Sequence, residues 1–351
     1  MTYKDDAKQV LRLLFWESTI RCNLACSHCR RLESDSAAAS DMSTSQAKEL
    51  IGQLAVLGMM QPMMPVLVFS GGEPLCREDL FELVEYARAS RITTALATNG
   101  TLVDAAVAGR IKNSGISRVS VSLDGADAAT HDRLRQQDGA FDRAIEGIDC
   151  LRAAGVSFQI NVTLTKDNAH QLAGVYELAK ALGAAALHIF MLVPIGCGQV
   201  LAETDMLSPQ EYEEKMIEIY VLESRGDLQV KVTCGPHYQR VIRQQGGQGA
   251  KTNKGCLAGL GVLFVSHRGD VFPCGYLPVM CGSVLNQKLA DIWRTSADLA
   301  MMRDSSNLEG KCGVCGYREI CGGCRGRAFA ATGNYMAEEP FCAYIPPEAA
   351  H

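Results

Sequence analysis

The sequence has no hydrophobic run long enough to cross a membrane. Its most apolar stretch, AVLGMMQPMMPVLVF, is interrupted by Gln61, Pro62 and Pro65, whereas a spanning helix needs about 20 consecutive apolar residues. An excess of positive charge is also absent, because the net charge is −5, so nucleic-acid binding is not expected. The opening MTYKDDAKQV lacks the apolar core of a signal peptide, and we therefore expect a cytoplasmic location.

Cysteine, in contrast, is unusually abundant, with 15 in 351 residues. Dense cysteine is typical of disulfide frameworks in small secreted chains, and in a cytosolic chain it indicates metal or redox chemistry instead. Three thiols, Cys22, Cys26 and Cys29, form C-x3-C-x2-C, and eight more lie between residues 256 and 342. Soft thiolates select zinc, Cu(I) or iron–sulfur clusters.

The N-terminal motif lacks a fourth thiol. A closed structural metal site has four protein ligands, whereas a reactive site keeps one position open. Three thiolates on one loop can hold three irons of a [4Fe–4S] cube and leave the fourth iron to a small ligand. A zinc site is the alternative, with His28 as fourth ligand, but His28 is adjacent to Cys29 and two residues from Cys26, which is awkwardly close.

Short apolar, β-branched runs alternate with amphipathic helical patterns from residue 11 to about residue 225. The candidate strands are 11–16, 66–70, 92–98, 117–123, 157–164 and 187–193. This alternation predicts an α/β fold whose six βα units form a parallel sheet. Six units are fewer than the eight of a complete TIM barrel, so we expect a partial (β/α)6 TIM-like barrel.

Each unusual segment follows a predicted strand. The cysteine motif follows the first strand, and the segments after the next three are GGEP (71–74), NG (99–100) and DG (124–125). In barrels the active site is built by the loops at the carboxyl ends of the strands. Gly71 and Gly72 allow close approach of the backbone, and Glu73 offers a carboxylate to an ammonium group. Asn99 can equally be a turn residue.

The remainder of the chain differs in composition. Residues 208–245 have a helical pattern followed by a short strand-like run, and the Gly-, Gln- and Lys-rich segment 243–255 predicts a boundary loop. Beyond it the chain is cysteine-rich with little periodicity. We therefore predict two domains, residues 1–245 and residues 246–351, the second organised by metal.

The pairing of C-x3-C-x2-C with GGE after the second strand resembles the radical S-adenosylmethionine (SAM) enzyme superfamily, over about residues 11–200. The resemblance implies a [4Fe–4S] cluster on Cys22, Cys26 and Cys29 whose open iron binds SAM. It also implies that SAM is cleaved to a 5′-deoxyadenosyl radical, which abstracts hydrogen from the substrate. The implied cofactor-binding residues are Gly71, Gly72, Glu73, His28, Ser122, Asp124, Asn161 and Val193. Glu73 is expected on the SAM amino group, His28 near adenine, and Ser122 and Asp124 at the ribose.

The C-terminal cysteines resemble the SPASM extension of radical SAM enzymes, over roughly residues 255–345. The resemblance implies one or two auxiliary [4Fe–4S] clusters. The first would be held by Cys312, Cys315, Cys321 and Cys342, and the second by Cys256, Cys274 and Cys324, with Cys281 considered as a fourth ligand. CGGC has two residues between its cysteines where the family more often has three, so the sharing of ligands stays open. Zinc-ribbon ligation is the alternative. The single cysteines, Cys76, Cys150, Cys197 and Cys234, are interpreted as buried small hydrophobes.

Two segments, 11–30 and 321–342, resemble the tetrapyrrole branch of SPASM enzymes, and within it the haem synthases of the alternative, sirohaem-dependent pathway. The resemblance implies oxidative decarboxylation of two propionates of iron–coproporphyrin III to vinyls, giving haem b. It also implies a flavodoxin- or ferredoxin-like electron donor and an electron acceptor. Four substrate carboxylates favour arginine partners, with Arg21, Arg325 and Arg327 as candidates. His28, His188 or His237 could ligate the porphyrin iron.

Three alternatives stay open. A related tetrapyrrole enzyme would remove acetate groups from didecarboxysirohaem or act in haem d1 synthesis. A peptide-modifying SPASM enzyme commonly carries a recognition domain before the barrel, and only ten residues precede the first predicted strand. A non-catalytic iron–sulfur or zinc protein is disfavoured by GGEP and by the motifs on the same barrel face.

Overall fold

The computed structural model describes residues 9–31, 40–201, 204–247 and 254–349. Its strands are β1 (Leu13–Glu17), β2 (Val66–Ser70), β3 (Thr94–Thr98), β4 (Arg118–Ser122), β5 (Phe158–Leu164), β6 (Ala186–Met191), β7 (Gln229–Thr233), β8 (Val262–Val265), β9 (Asp270–Phe272) and β10 (Gly282–Ser283). Its helices are α1 (Thr44–Met59), α2 (Leu80–Ala89), α3 (Ala105–Ser114), α4 (Ala128–Arg135), α5 (Ala140–Ala153), α6 (Leu172–Ala181), α7 (Pro209–Ser224), α8 (Tyr238–Gln244), α9 (Leu289–Thr295), α10 (Ala297–Arg303), α11 (Gly310–Val314) and α12 (Arg325–Thr332).

All strands belong to one sheet, in the order β10-β9-β8-β1-β2-β3-β4-β5-β6-β7. The strands from β8 to β7 in this order run parallel, and β9 and β10 add an antiparallel edge. Within the described residues β7 does not pair with β8, so the sheet is not closed. The predicted partial barrel and its six strands are confirmed.

The parallel part of the sheet is wider than predicted. The strand-like run near residue 230 forms β7 beside β6, and β8 from the C-terminal part of the chain pairs with β1. Both additions cover backbone that would otherwise form exposed edges of the six-stranded barrel.

The sheet therefore continues across the predicted domain boundary. Val265 in β8 belongs to the same buried core as Leu14 in β1. The division at residue 245 stays a prediction, and residues 248–253 of the predicted boundary loop lie outside the described residues.

The two faces of each barrel strand carry different side chains. In β5, Ile160 and Val162 are about 1% exposed and pack outward among the helices, whereas Gln159, Asn161 and Thr163 face the inside of the barrel. Successive side chains of a strand point to opposite faces, so the apolar set is buried against helices while short polar side chains leave the interior open. This arrangement creates space for ligands.

The helices begin and end at recognisable caps. Ser43 before α1 and Ser208 before α7 each form a capping box, with Gln46 and Glu211 respectively. Helix α3 ends at Gly115, whose φ of 85° suits glycine. No helix among the described residues combines the length and apolar character that crossing a membrane requires.

Candidate active site

A large cavity of about 1640 Å³ lies within the partial barrel. Small-molecule sites are commonly about 300–1,000 Å³, so this one has room for more than one ligand. Its wall includes the N-terminal thiols Cys22, Cys26 and Cys29, and also four later thiols, Cys234, Cys256, Cys274 and Cys324. The N-terminal loop and the later part of the chain therefore contribute cysteines to the wall of one cavity.

Most of the predicted cofactor-binding residues face this cavity. Those on its wall are His28, Gly71, Gly72, Ser122, Asn161 and Val193. Glu73 and Asp124 are instead fully buried, and the contacts of each are with neighbouring protein residues. Their roles toward SAM stay predictions.

The two glycines hold the loop after β2 against the loop after β1. The Gly72 N–H donates to the Thr19 carbonyl at 2.8 Å, and the Glu73 N–H donates to the Arg21 carbonyl at 2.8 Å. A Cβ at position 72 would lie 2.3 Å from the Arg21 oxygen, which leaves no space for a side chain. The pair is therefore needed for close approach of the backbone to the cysteine loop.

The Glu73 carboxylate is nearly saturated by protein donors. Oε1 accepts from the Thr98 hydroxyl at 2.8 Å and from the Leu75 N–H at 3.1 Å, and Oε2 accepts from the Asn99 N–H at 2.8 Å. Burial raises the pKa of Glu73 to about 7. A carboxylate offers about four acceptor positions, so protein donors fill most of those on Glu73.

Asn99 closes a turn, as one interpretation of its sequence position predicts, and it also contacts the cysteine loop. Its Oδ1 accepts from the Thr101 N–H at 2.9 Å, which closes the turn after β3. Its Nδ2 donates to Asn23 Oδ1 at 2.9 Å, which fixes the loop carrying the first cysteines.

Asp124 connects three elements at the floor of the site. Its Oδ2 lies 2.6 Å from Arg135 Nη2 and 3.2 Å from His28 Nε2, and its Oδ1 accepts from the Thr163 N–H at 2.8 Å. Burial alone would raise the pKa of Asp124, but the Arg135 guanidinium and His28 hold it well below its usual range. The carboxylate is therefore charged and orients His28 beside Cys29.

Sequence reasoning missed Arg135. Its Nη1 donates to Cys26 Sγ at 3.7 Å, while the same guanidinium pairs with Asp124. Burial raises the pKa of Cys26, and the Arg135 cation opposes that shift by favouring the thiolate, which is the form that binds metal. Arg133, two residues earlier on α4, points outward to Asp167, and no local pattern distinguishes the two arginines.

The predicted first auxiliary set does come together. Cys312, Cys315, Cys321 and Cys342 line one small cavity near α11. Each sulfur accepts an N–H donor, namely the backbone of Glu339, Tyr317 and Gly323 and the side chain of Arg240, respectively. Hydrogen bonds to sulfur are one means by which proteins adjust iron–sulfur clusters, so this donor set fits such a group.

His237 borders that small cavity. Its ring is fully buried, and neither nitrogen has a hydrogen-bond partner among the described residues. Burial lowers the pKa of His237 to about 4, so the ring is neutral and keeps one N–H without an acceptor. This position also separates His237 from the wall of the large cavity, which does not favour it as a ligand of porphyrin iron.

Among the described residues no three Cys, His, Asp or Glu side chains converge tightly enough to hold one metal ion. A [4Fe–4S] cube is held by several thiolates on different irons, so its ligands need not meet at one point.

Arg21, Arg325 and Arg327, which the sequence suggested as partners of substrate carboxylates, do not line the large cavity. Arg327 is fully buried and pairs with Glu339 at 3.0 Å, and Arg325 donates to the carbonyls of Tyr335 and Ala337. Arg21 lies near Asp41 at 4.0 Å. The cations on the cavity wall are instead Arg12, Arg30, Arg118, Arg135, Lys231 and Lys254.

Comparison with known proteins gives two family matches. A model described as the radical SAM superfamily matches residues 16–179, and the SPASM model, described as an iron–sulfur cluster-binding domain, matches residues 256–324. The solved structure of native anSMEcpe with bound AdoMet superposes with a TM-score of 0.70 at 21% identity, covering 93% of both chains. That likeness concerns the fold.

Two curated proteins of Methanosarcina barkeri (strain Fusaro / DSM 804) are similar over nearly the whole length. One, named AdoMet-dependent heme synthase, is 44% identical over 346 residues, covering 95% of this chain and 97% of that protein. The other, named Fe-coproporphyrin III synthase, is 30% identical over 371 residues, covering 99% of this chain and 90% of that protein.

The close contact between the loops after β1 and β2 predicts that adding one methyl group at Gly72 lowers stability. Gly72→Ala places a methyl group against backbone oxygens, and we expect it to destabilise the fold by about 1–3 kcal/mol and to weaken SAM binding. Gly52→Ala is the control, because a Cβ there meets nothing within 4 Å inside α1. Thermal unfolding and SAM titration of both variants test this; equal behaviour of the two would contradict it.

The buried ion pair predicts different effects for two arginines on one helix. Arg135→Ala leaves the Asp124 charge uncompensated, which should cost about 3–5 kcal/mol. Arg133→Ala removes an exposed pair and should change stability by about 0–1 kcal/mol. Urea unfolding under anaerobic conditions measures both, and a mild effect of Arg135→Ala would show that the pair does not hold the site together.

Proposed function

The chain belongs to the radical SAM superfamily and carries a SPASM iron–sulfur extension, and from this we propose that it is a SAM-dependent haem synthase. The proposed reaction converts two propionates of iron–coproporphyrin III to vinyls. The observation that carries the proposal is the large cavity, whose wall includes both the SAM-binding motif and C-terminal thiols. The named activities of the two M. barkeri relatives support the same substrate class.

The residues present suit the cofactors that the family implies, which are SAM and [4Fe–4S] clusters. Cys22, Cys26 and Cys29 would hold the N-terminal cluster, and Cys312, Cys315, Cys321 and Cys342 would hold an auxiliary one. When bound, these groups supply the electron that cleaves SAM and an acceptor for the electron released by the substrate. A flavodoxin- or ferredoxin-like protein is the proposed electron donor.

The reaction balances as follows. Loss of a hydrogen atom from the β-carbon of a propionate leaves a carbon radical. Breaking the bond to the carboxylate then releases CO2 and one electron and forms the vinyl double bond. Each propionate thus loses one hydrogen atom, one CO2 and one electron. The protein must limit access of water to the radical, and the apolar groups that make up the larger part of the cavity wall favour this.

His188 is the proposed ligand of the porphyrin iron. It lies on β6, on the cavity wall, with Gln159 at 3.0 Å from Nδ1, and its Nε2 has no partner among the described residues. Burial, with Lys231 and Arg118 nearby, lowers the pKa of His188 to about 4, so the ring is neutral. The Gln159 amide nitrogen lies 3.0 Å from His188 Nδ1 and donates to Asn161 Oδ1 at 3.1 Å. Binding of iron at Nε2 therefore requires the ring proton to move to Nδ1 and the Gln159 amide to turn its oxygen toward it.

Arg118 and Lys231, the two cations near His188, are the proposed partners of the substrate carboxylates. Arg118 in β4 and Lys231 in β7 both line the cavity and both interact electrostatically with His188. Iron–coproporphyrin III carries carboxylates around its rim, so an iron ligand flanked by cations matches its charge pattern. His28 is less suited, because its Nε2 pairs with Asp124.

Turnover of the anaerobically reconstituted enzyme tests the function. With SAM, a reductant, an electron acceptor and iron–coproporphyrin III, we expect 5′-deoxyadenosine and a porphyrin that has lost two CO2 groups. Replacing Cys22, Cys26 and Cys29 by alanine should abolish SAM cleavage, whereas replacing Cys312 and Cys315 should preserve cleavage and block vinyl formation. Cleavage of SAM without decarboxylation would reject the assignment, and acetate loss from didecarboxysirohaem would favour the related tetrapyrrole reaction.

Substitution of His188 tests the iron ligand separately. His188→Ala should weaken binding of iron–coproporphyrin III by at least about tenfold, or about 1.4 kcal/mol, and shift its Soret band. Metal-free coproporphyrin III should bind equally to wild type and variant, because it has no iron to ligate. His170→Ala, an exposed histidine, is the control; an unchanged Soret band in His188→Ala would exclude His188 as the ligand.

A further inference from the structure

We propose that Cys234 is the fourth ligand of a second auxiliary iron–sulfur cluster, together with Cys256, Cys274 and Cys324. The inference rests on the proposed function in one respect, because it assumes that the C-terminal thiols bind clusters. It goes beyond it by assigning a ligand from the barrel, at the end of β7, to a centre otherwise formed by C-terminal residues.

The four sulfurs lie in one neighbourhood. The Cys234 thiol donates a hydrogen bond to the sulfur of Cys324. Cys274 interacts electrostatically with Cys256 and Cys324, and Cys234 interacts with Cys274. All four line the large cavity, and none of the 15 cysteines forms a disulfide. The set is therefore a connected group of free thiols.

The surroundings of Cys234 are those of a buried ligand. Cys324, Val193 and Ile195 form a small apolar cluster, against which Cys234 and Tyr276 pack. A single buried thiol in such a cluster would behave as a small hydrophobe. Here another thiol is its hydrogen-bond partner and two more are nearby, which is the composition of a site with four cysteine ligands.

The backbone at Cys234 also differs from that of an ordinary strand end. Its φ of 58° places it in the left-handed region, which only Arg91 and Gln136 share among the non-glycine residues described. A non-glycine residue there costs about 1–3 kcal/mol and persists where the surroundings require that conformation. The turn directs the chain from β7 toward α8 and presents the Cys234 side chain to Cys324.

Cys281, the fourth ligand considered from the sequence, lies elsewhere. Its thiol donates to the Val279 carbonyl at 3.6 Å, and its side chain packs against the main core. The side chains that influence the pKa of Cys281 are those of Ser296, Asp298 and Arg303. It does not line the large cavity with the other three thiols, so its spacing in the sequence does not correspond to proximity in the fold.

A fourth thiolate has a chemical consequence. A cluster held by three cysteines keeps an open iron that can bind a ligand, as proposed for the N-terminal centre. A cluster held by four cysteines has no open iron, so it exchanges electrons without binding substrate. Held by these four residues, the cluster would supply an acceptor for an electron and would leave the substrate propionates to be bound by protein side chains.

The test uses full-length protein in which Cys22, Cys26 and Cys29 are replaced by alanine, so that only auxiliary clusters remain. In this background we expect about eight irons per chain, two [4Fe–4S] clusters, and no change in the EPR spectrum on adding cyanide. Adding Cys234→Ala should either reduce iron to about four per chain or create an open iron that cyanide perturbs. Cys281→Ala should match the parent.

The possible results distinguish failure of the Cys234 assignment from failure of the proposed function. If Cys234→Ala matches Cys281→Ala in iron, sulfide and cyanide response, Cys234 is not a ligand, while the proposed function stands. If the parent itself holds zinc without sulfide, the cluster assignment and the proposed function both fail. Cys234→Ser, with an oxygen ligand of similar size, should retain iron and shift the cluster potential, which shows that loss in the alanine variant does not reflect unfolding.

Discussion

The buried carboxylate of Asp124 is the interaction on which the arrangement of the site depends. It lies within 3.2 Å of His28 and 2.6 Å of Arg135, and it accepts a hydrogen bond from the backbone of β5. One charged group thus fixes the cysteine loop, the end of α4 and a central strand. Because a buried charge without partners is strongly unfavourable, these elements must fold together. The position of Cys26 follows from that requirement, since Arg135 also donates to its sulfur.

The incomplete barrel explains how distant cysteines reach one cavity. A closed eight-stranded barrel is filled by its inward side chains. Here the sheet stays open between β7 and β8, and strands such as β5 present short polar side chains inward. The C-terminal part of the chain enters the sheet through β8 and brings Cys256 and Cys274 to the cavity wall. The site therefore depends on the gap that the sheet leaves between β7 and β8.

Features encoded locally could be predicted from the sequence, and features that depend on contacts between distant residues could not. The runs near β2 and β5, the GGEP turn and the four thiols from Cys312 to Cys342 each carry a local pattern. Arg135 and Arg133 have the same helical context, and only tertiary packing turns one toward Cys26 and the other toward solvent. Cys234 has no cysteine near it in sequence, so its place beside Cys324 follows from tertiary packing.

The number of thiols at each proposed centre gives a physical reason for the division of roles. The N-terminal motif has three cysteines and lies against the loop of Glu73, whose carboxylate is held by three donors of the protein itself. That combination suits a centre that binds a ligand through an open iron. The set near α11 has four cysteines, each with an N–H donor to its sulfur, which suits a centre that only exchanges electrons. Oxidative decarboxylation needs one group to begin the radical and another to remove an electron. The set near α11 lines a separate small cavity, so the thiols that share the large cavity with the N-terminal motif, Cys234, Cys256, Cys274 and Cys324, are better placed to take that electron from a substrate bound there.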